Sequence, residues 1–237
     1  MTLSIVGVGP GHPDHLTALA RERLKCADAI YVADRYRAVL PAVSAEIVTS
    51  DRDRLVEQAT ASIERVRAGE RVVHVSGGDP AVYGKSDLLA PIAARADVPV
   101  EIVPGVTAAL GAAATVGAPF ARDWASISLS SAREWATVED RLVGAARGGF
   151  AIALYNVDAN RSRALEVLRE HRDPAVPVAT VAGMARGTDP LGAIDRTIGR
   201  LGDPPSVDGG LLVIGTDDTD VITVDGQDLL VRSRRSR

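Results

Sequence analysis

Three times in the first half of this chain an apolar run breaks into a cluster of glycine and proline: at Ile5-Val-Gly-Val-Gly-Pro-Gly11, at Val75-Ser-Gly-Gly-Asp-Pro80 and at Ile102-Val-Pro-Gly105. The runs have the length of strands, and stretches with helical periodicity separate them. Strands are expected at 4–8, 29–32, 46–49, 72–75 and 100–103, with helices at 16–26, 54–68, 87–95 and 106–116. Alternation of this kind requires a mostly parallel sheet with helices on its faces, because parallel neighbours must be joined by crossovers. Open parallel sheets bind ligands outside the carboxyl ends of their strands, where glycine lets backbone amides come close. The three breaks should therefore converge on one crevice.

Beyond them, Gly117-Ala-Pro-Phe120 interrupts the apolar rhythm and reads as a linker, giving an N-terminal α/β domain over 1–117 and a C-terminal one over 121–237. The second half is read as strands at 126–129, 151–155, 178–181, 211–215 and 221–224, with helices at 138–146, 161–170 and 191–201. Residues 217–220 read as a turn and 232–237 as a frayed basic terminus.

No apolar run approaches the ~18 residues that a membrane span needs, and no signal peptide is seen before the first strand, so no membrane partner and a cytoplasmic location are expected. The net charge of -4 is spread over both halves, which excludes a basic nucleic-acid arm. Only Lys25 and Lys85 are lysines; arginine supplies the remaining positive charge. Its planar fork suits carboxylates, although a codon bias would leave the same composition. Arg35, Arg37, Arg122 and Arg133 lie in or beside expected loops and are candidates to hold an anionic ligand. Cys26, the sole cysteine, excludes an intrachain disulfide and is expected as a small buried residue near a helix end. His12, His15, His74 and His171 show no ligand spacing, so no metal site is read.

Each loop also has a plain structural reading. The first lacks the later glycine of a dinucleotide fingerprint, which disfavours a nicotinamide site. Asp79 can cap backbone amides while Pro80 starts a helix. Tyr83 suits a core, Thr107 an ordinary helix start, and Met184 core filling.

Taken together, Gly7-Val-Gly-Pro-Gly11 with Asp14-His-Leu-Thr17, Gly78-Asp-Pro80 with Tyr83, and Pro104-Gly-Val-Thr-Ala108 resemble the loops of the tetrapyrrole methylase family, in that order and spacing. The likeness extends over roughly residues 3–215. Ile127-Ser-Leu-Ser130 and Ile152-Ala-Leu-Tyr-Asn156 resemble the branch that methylates C-17 of a corrin precursor and contracts its ring. The resemblance implies a two-domain α/β fold, each domain a sheet flanked by helices, with the active site in the interdomain cleft. It implies S-adenosylmethionine as cofactor, S-adenosylhomocysteine as product, an anionic tetrapyrrole (precorrin or cobalt-precorrin) as substrate, and a homodimer. Carried over residue by residue, it makes Pro10, Gly77, Gly78, Asp79, Val82, Thr107, Ala108, Tyr155, Asn156, Gly183 and Met184 cofactor contacts. This chain departs from the family in following Asn156 with Val157-Asp158 where proline is usual.

Methyl transfer from a sulfonium is an in-line displacement that needs alignment rather than a nucleophilic side chain. Ring contraction moves protons and calls for an acid or base; His12, Asp14, Ser128 and Ser130 are the candidates. The rival readings are a sister precorrin methylase, a diphthamide-pathway methylase acting on a protein histidine, a ribosomal RNA ribose methylase, and a nucleotide-binding regulatory module without catalysis.

Overall fold

The apolar runs pair as the alternation requires. A computed structural model describes residues 1–183, 195–206 and 210–233, which divide into two compact units, the first ending at Ala108 and the second beginning at Ala109. In the first unit β1 (Leu3–Gly7), β2 (Ala29–Val32), β3 (Glu46–Thr49), β4 (Val72–Ser76) and β5 (Val100–Val103) form one parallel sheet in the order β3-β2-β4-β1-β5. Alternate residues face opposite sides. On one side Val6, Ile30, Val32, Val73 and Val75 join Ala20 and Leu24 of α1 (Ala18–Cys26). On the other, Leu3, Tyr31 and Val72 meet Ile63 and Val66 of α2 (Leu55–Arg67) and Ala93 of α3 (Ser86–Arg95). Thr17 caps α1, its Oγ1 accepting the Ala20 amide at 3.1 Å.

Cys26 corrects an expectation. It ends α1 with its side chain exposed, since Ala20 and Leu24 occupy the face toward the sheet.

α4 (Ala108–Val116) groups with the second unit from Ala109 onward, and the segment expected as a linker is fastened there: the Ala118 amide donates to the Leu230 carbonyl at 2.7 Å. The second sheet is mixed. Its order is β6-β7-β10-β8-β9, built from β6 (Trp124–Ser128), β7 (Ala151–Tyr155), β8 (Pro177–Ala182), β9 (Asp195–Arg200) and β10 (Leu211–Ile214). Only β6 and β7 run parallel, and α5 (Trp135–Arg147) and α6 (Arg161–His171) pack Val138, Leu142, Leu165 and Leu168 against its core. An antiparallel hairpin, β11 (Thr219–Val224) and β12 (Gln227–Arg232), completes the unit.

Three expectations in this half are corrected. The helix expected at 191–201 is, in its described part, the edge strand β9, paired with β8 along its length. Leu191, Ile194, Ile198 and Leu201 mimic a helical stripe, but Thr197 and Ile198 are β-branched and β8 offers a complete open edge. Thr219 and Asp220, expected in a turn, begin β11. Arg232, expected in a frayed terminus, ends β12 opposite Thr219, and residues 234–237 lie outside the described ones. None of the described helices is long and apolar enough to cross a membrane.

Candidate functional site

Because β4, β1 and β5 are neighbours, their carboxyl ends place the three glycine loops side by side in the first unit. Gly9 and Gly78 exchange backbone hydrogen bonds, with Gly78 N to Gly9 O at 2.8 Å and Gly9 N to Gly78 O at 3.2 Å. Gly78 has φ +67°, a left-handed conformation that glycine adopts without strain. The approach is close enough to exclude side chains: a Cβ on Gly7 would lie 2.7 Å from the Gly105 nitrogen, and one on Gly105 would lie 2.2 Å from the Gly78 oxygen. Pro10 is buried within the first loop.

Asp79 joins the second loop to the third. Its Oδ1 accepts the Ala81 amide at 2.8 Å and its Oδ2 the Gly105 amide at 3.0 Å. The capping expected of this carboxylate is therefore present, and it reaches a second loop as well. The Val82 amide donates to the Asp79 carbonyl at 3.2 Å, Thr107 is buried, and Ala108 opens α4. His12 caps the short turn after the first loop: its Nδ1 accepts the Asp14 amide at 3.1 Å, which leaves the proton of the neutral ring on Nε2. The Asp14 side chain itself is exposed.

In the second unit the ends of β6 and β7 come together. The Leu129 amide donates to the Tyr155 carbonyl at 2.8 Å, and the Asn156 Nδ2 donates to the Ser128 Oγ at 2.9 Å. Asn156 is left-handed at φ +53°, which turns its amide back toward β6. Ser128 is buried, and Ser130 Oγ accepts the Ala132 amide at 3.3 Å in the following turn. The Tyr155 hydroxyl accepts the Ala109 amide. Gly183, at φ +76°, follows β8, and Met184 lies outside the described residues.

The arginine candidates separate. The Arg37 guanidinium is engaged by Asp34 at 2.8 Å and by Thr49 at 2.6 Å. Arg122 borders a cavity of about 340 Å³ with Asp123, Thr216, Asp217 and Arg232. That cavity lies at the amino ends of β6 and β7, the far end of the second sheet from Tyr155. Arg133 follows Ser130 in its turn, and its amide donates to the Ser130 carbonyl. Arg35 stands 5.0 Å over the Tyr36 ring.

Sequence reasoning passed over Lys85. Its Nζ donates to Ser50 Oγ at 2.7 Å, and burial followed by the charge of Arg35 lowers its pKa to about 8. The available signal was one of only two lysines standing directly after the Asp79 loop. His74, fully buried on β4 and stacked on Tyr31 at 4.5 Å, is pushed down to about 3, chiefly by burial and then by the Lys85 charge.

A parallel sheet with three glycine-tight loops at adjacent strand ends, joined to a second α/β unit with a mixed sheet, defines a protein of the kind that binds a small ligand on backbone groups. Within that class the chain belongs to the tetrapyrrole (corrin/porphyrin) methylases, whose family model matches residues 2–188. It is 32% identical to the "Precorrin-3B C(17)-methyltransferase" of Sinorhizobium sp, over 99% of this chain and 96% of that one. Among solved structures it is similar to the methyltransferase CobJ, with TM-score 0.84, 28% identity, and coverage of 96% of this chain and 98% of that one. It is also similar to uroporphyrin-III C-methyl transferase from Thermus thermophilus complexed with S-adenosylhomocysteine, with TM-score 0.73, 27% identity, and coverage of 91% and 97%.

Proposed function

We propose that this chain methylates C-17 of precorrin-3B or of cobalt-precorrin-3 with S-adenosylmethionine, contracting the ring, in cobalamin biosynthesis. The observation that carries the reading is the end-to-end similarity to a precorrin-3B C(17)-methyltransferase. The homodimer rests on the family resemblance alone.

The loops of the first unit fit the cofactor. Glycine at 7 and 105 lets the three loops pack backbone on backbone, since a Cβ at either would strike a neighbouring loop, and this sets their strand-end backbone around one place where a ligand carrying an ammonium, a carboxylate and a ribose can bind. Pro10, Gly77, Gly78, Asp79, Val82, Thr107 and Ala108 are the proposed contacts there. Tyr155, Asn156, Gly183 and Met184 are those of the second unit. Bound S-adenosylmethionine supplies an electrophilic methyl on its sulfonium. The chain's share of the displacement is orientation: Asp79 holds the second and third loops in register, and Gly9 holds the first on the second. For contraction, His12, its ring oriented through Nδ1 by the Asp14 amide, is the proposed acid or base. Ser128, already accepting from Asn156, is a weaker candidate than His12.

The test is incubation with S-adenosylmethionine and precorrin-3B or its cobalt form, with the product examined by mass spectrometry and NMR. One added methyl at C-17 and a contracted ring are expected. A methyl on another ring carbon would move the chain to a sister activity, and transfer to a protein histidine or an RNA ribose would overturn the acceptor.

A further inference from the structure

Cations in the first unit generally stand beside acids. Arg23 pairs with Glu22 and Glu101, Arg37 with Asp34, Arg54 with Glu57, Arg65 with Glu46 and Glu70, Arg67 with Glu64 and Arg71 with Asp28. Lys85 differs from these. It is half-buried, and among the described residues it makes no ion pair; its hydrogen bond goes to the neutral Ser50. The charge that acts on it is a second cation, Arg35, which also makes no ion pair among the described residues. Its charge also bears on His74, neither of whose ring nitrogens has a hydrogen-bond partner among the described residues. A half-buried ammonium with a cation on one side and no acid is unfavourable unless an anion is brought to it.

We propose that Lys85 and Arg35 form a carboxylate subsite that takes an acidic side arm of the methyl acceptor. This rests on the methyltransferase reading above. The subsite is fixed by elements of the sheet: Arg35 follows β2, Ser50 follows β3, and Lys85 ends the loop after β4. Tyr36 stands beneath Arg35 and against Gly77, where a Cβ would meet its hydroxyl at 1.9 Å, so the guanidinium rests on a packed ring. The amino-acid end of the cofactor also carries a carboxylate, but the glycine loops proposed to hold the cofactor lie over β4, β1 and β5, whereas Ser50 and Arg35 lie over β3 and β2. A carboxylate bound beside the β4 loop, toward β2 and β3, orients a large acceptor without displacing the cofactor from the glycine loops.

The test uses the whole protein, with S-adenosylhomocysteine followed by calorimetry and uroporphyrin, a stable octacarboxylate porphyrin, followed by fluorescence. Lys85→Met and Arg35→Gln should each weaken uroporphyrin binding by ~10-fold or more, the scale of one lost charge-assisted contact. Affinity for S-adenosylhomocysteine should stay unchanged, which also reports that the loops are intact. Lys85→Arg should retain most of the porphyrin affinity. Arg35 is exposed, so Arg35→Gln carries the test if Lys85→Met fails to fold. Folded variants with wild-type uroporphyrin affinity would overturn the subsite and leave the methyltransferase reading standing. A loss confined to S-adenosylhomocysteine would also overturn it, assigning these cations to the cofactor. A wild-type protein that binds S-adenosylhomocysteine but no uroporphyrin would overturn the acceptor reading and the subsite together.

Discussion

The Tyr155 hydroxyl accepts the amide of Ala109 at 2.9 Å, joining the end of β7 to the first turn of α4. The first amides of a helix have no partner within it, and here a phenol supplies one. Tyr155→Phe keeps the ring and removes the acceptor. Stability should fall by about 1 kcal/mol, read as a lower midpoint in urea with an unchanged slope.

Asp79 gives a second test. Asp79→Ala strands the amides of Ala81 and Gly105 at once, and should cost ~1–3 kcal/mol of stability while loosening the loop proposed to hold the cofactor. Gly105→Ala should be worse for binding, because its Cβ meets the Gly78 carbonyl, which belongs to the backbone and cannot swing aside. Titration with S-adenosylhomocysteine should show reduced affinity in both. Wild-type affinity in a folded Gly105→Ala protein would remove these loops from the site.

His74 makes stability depend on pH in a defined direction. The unfolded chain binds a proton on this ring at the ordinary histidine value of about 6.5, whereas the folded protein resists it until about 3. Between those values the unfolded state holds more protons, so stability is lost as pH falls through the window, by up to about 1.4 kcal/mol per unit from this group. His74→Phe keeps a ring beside Tyr31 and removes the titration. Urea midpoints measured from pH 7 to pH 4 should fall less steeply in the variant.

Arg172 is buried, makes no ion pair among the described residues and spends its guanidinium on carbonyls: Ala146 at 2.8 Å, Ala145 at 3.1 Å, Phe150 at 2.6 Å and Gly215 at 3.3 Å. Two of these belong to the last turn of α5, where carbonyls lack helical partners. Arg172→Met fills a similar volume with no donors and should cost about 3 kcal/mol or more, seen as a large drop in thermal midpoint. Arg172→Lys should recover only part of it, since one ammonium cannot reach four acceptors in a planar fork.

The parallel first sheet, its helices and the adjacency of the three glycine loops were legible in the residues, because apolar periodicity and glycine breaks are local signals and parallel pairing leaves few arrangements of such strands. Strand 151–155 was legible to its boundaries for the same reason. Where two periods compete, as in 191–201, the open edge of β8 decided for strand in the described part, and β12 exists only because β11 lies beside it. The second bond of Asp79 spans 26 residues and that of Tyr155 spans 46, so neither could be read from neighbours in the chain. Lys85 is the clearest case. Its identity is written in the sequence, but its burial, its bond to Ser50 and the charge of Arg35 that acts on it come from the packing of β2, β3 and β4, and those long-range contacts set the charge it presents.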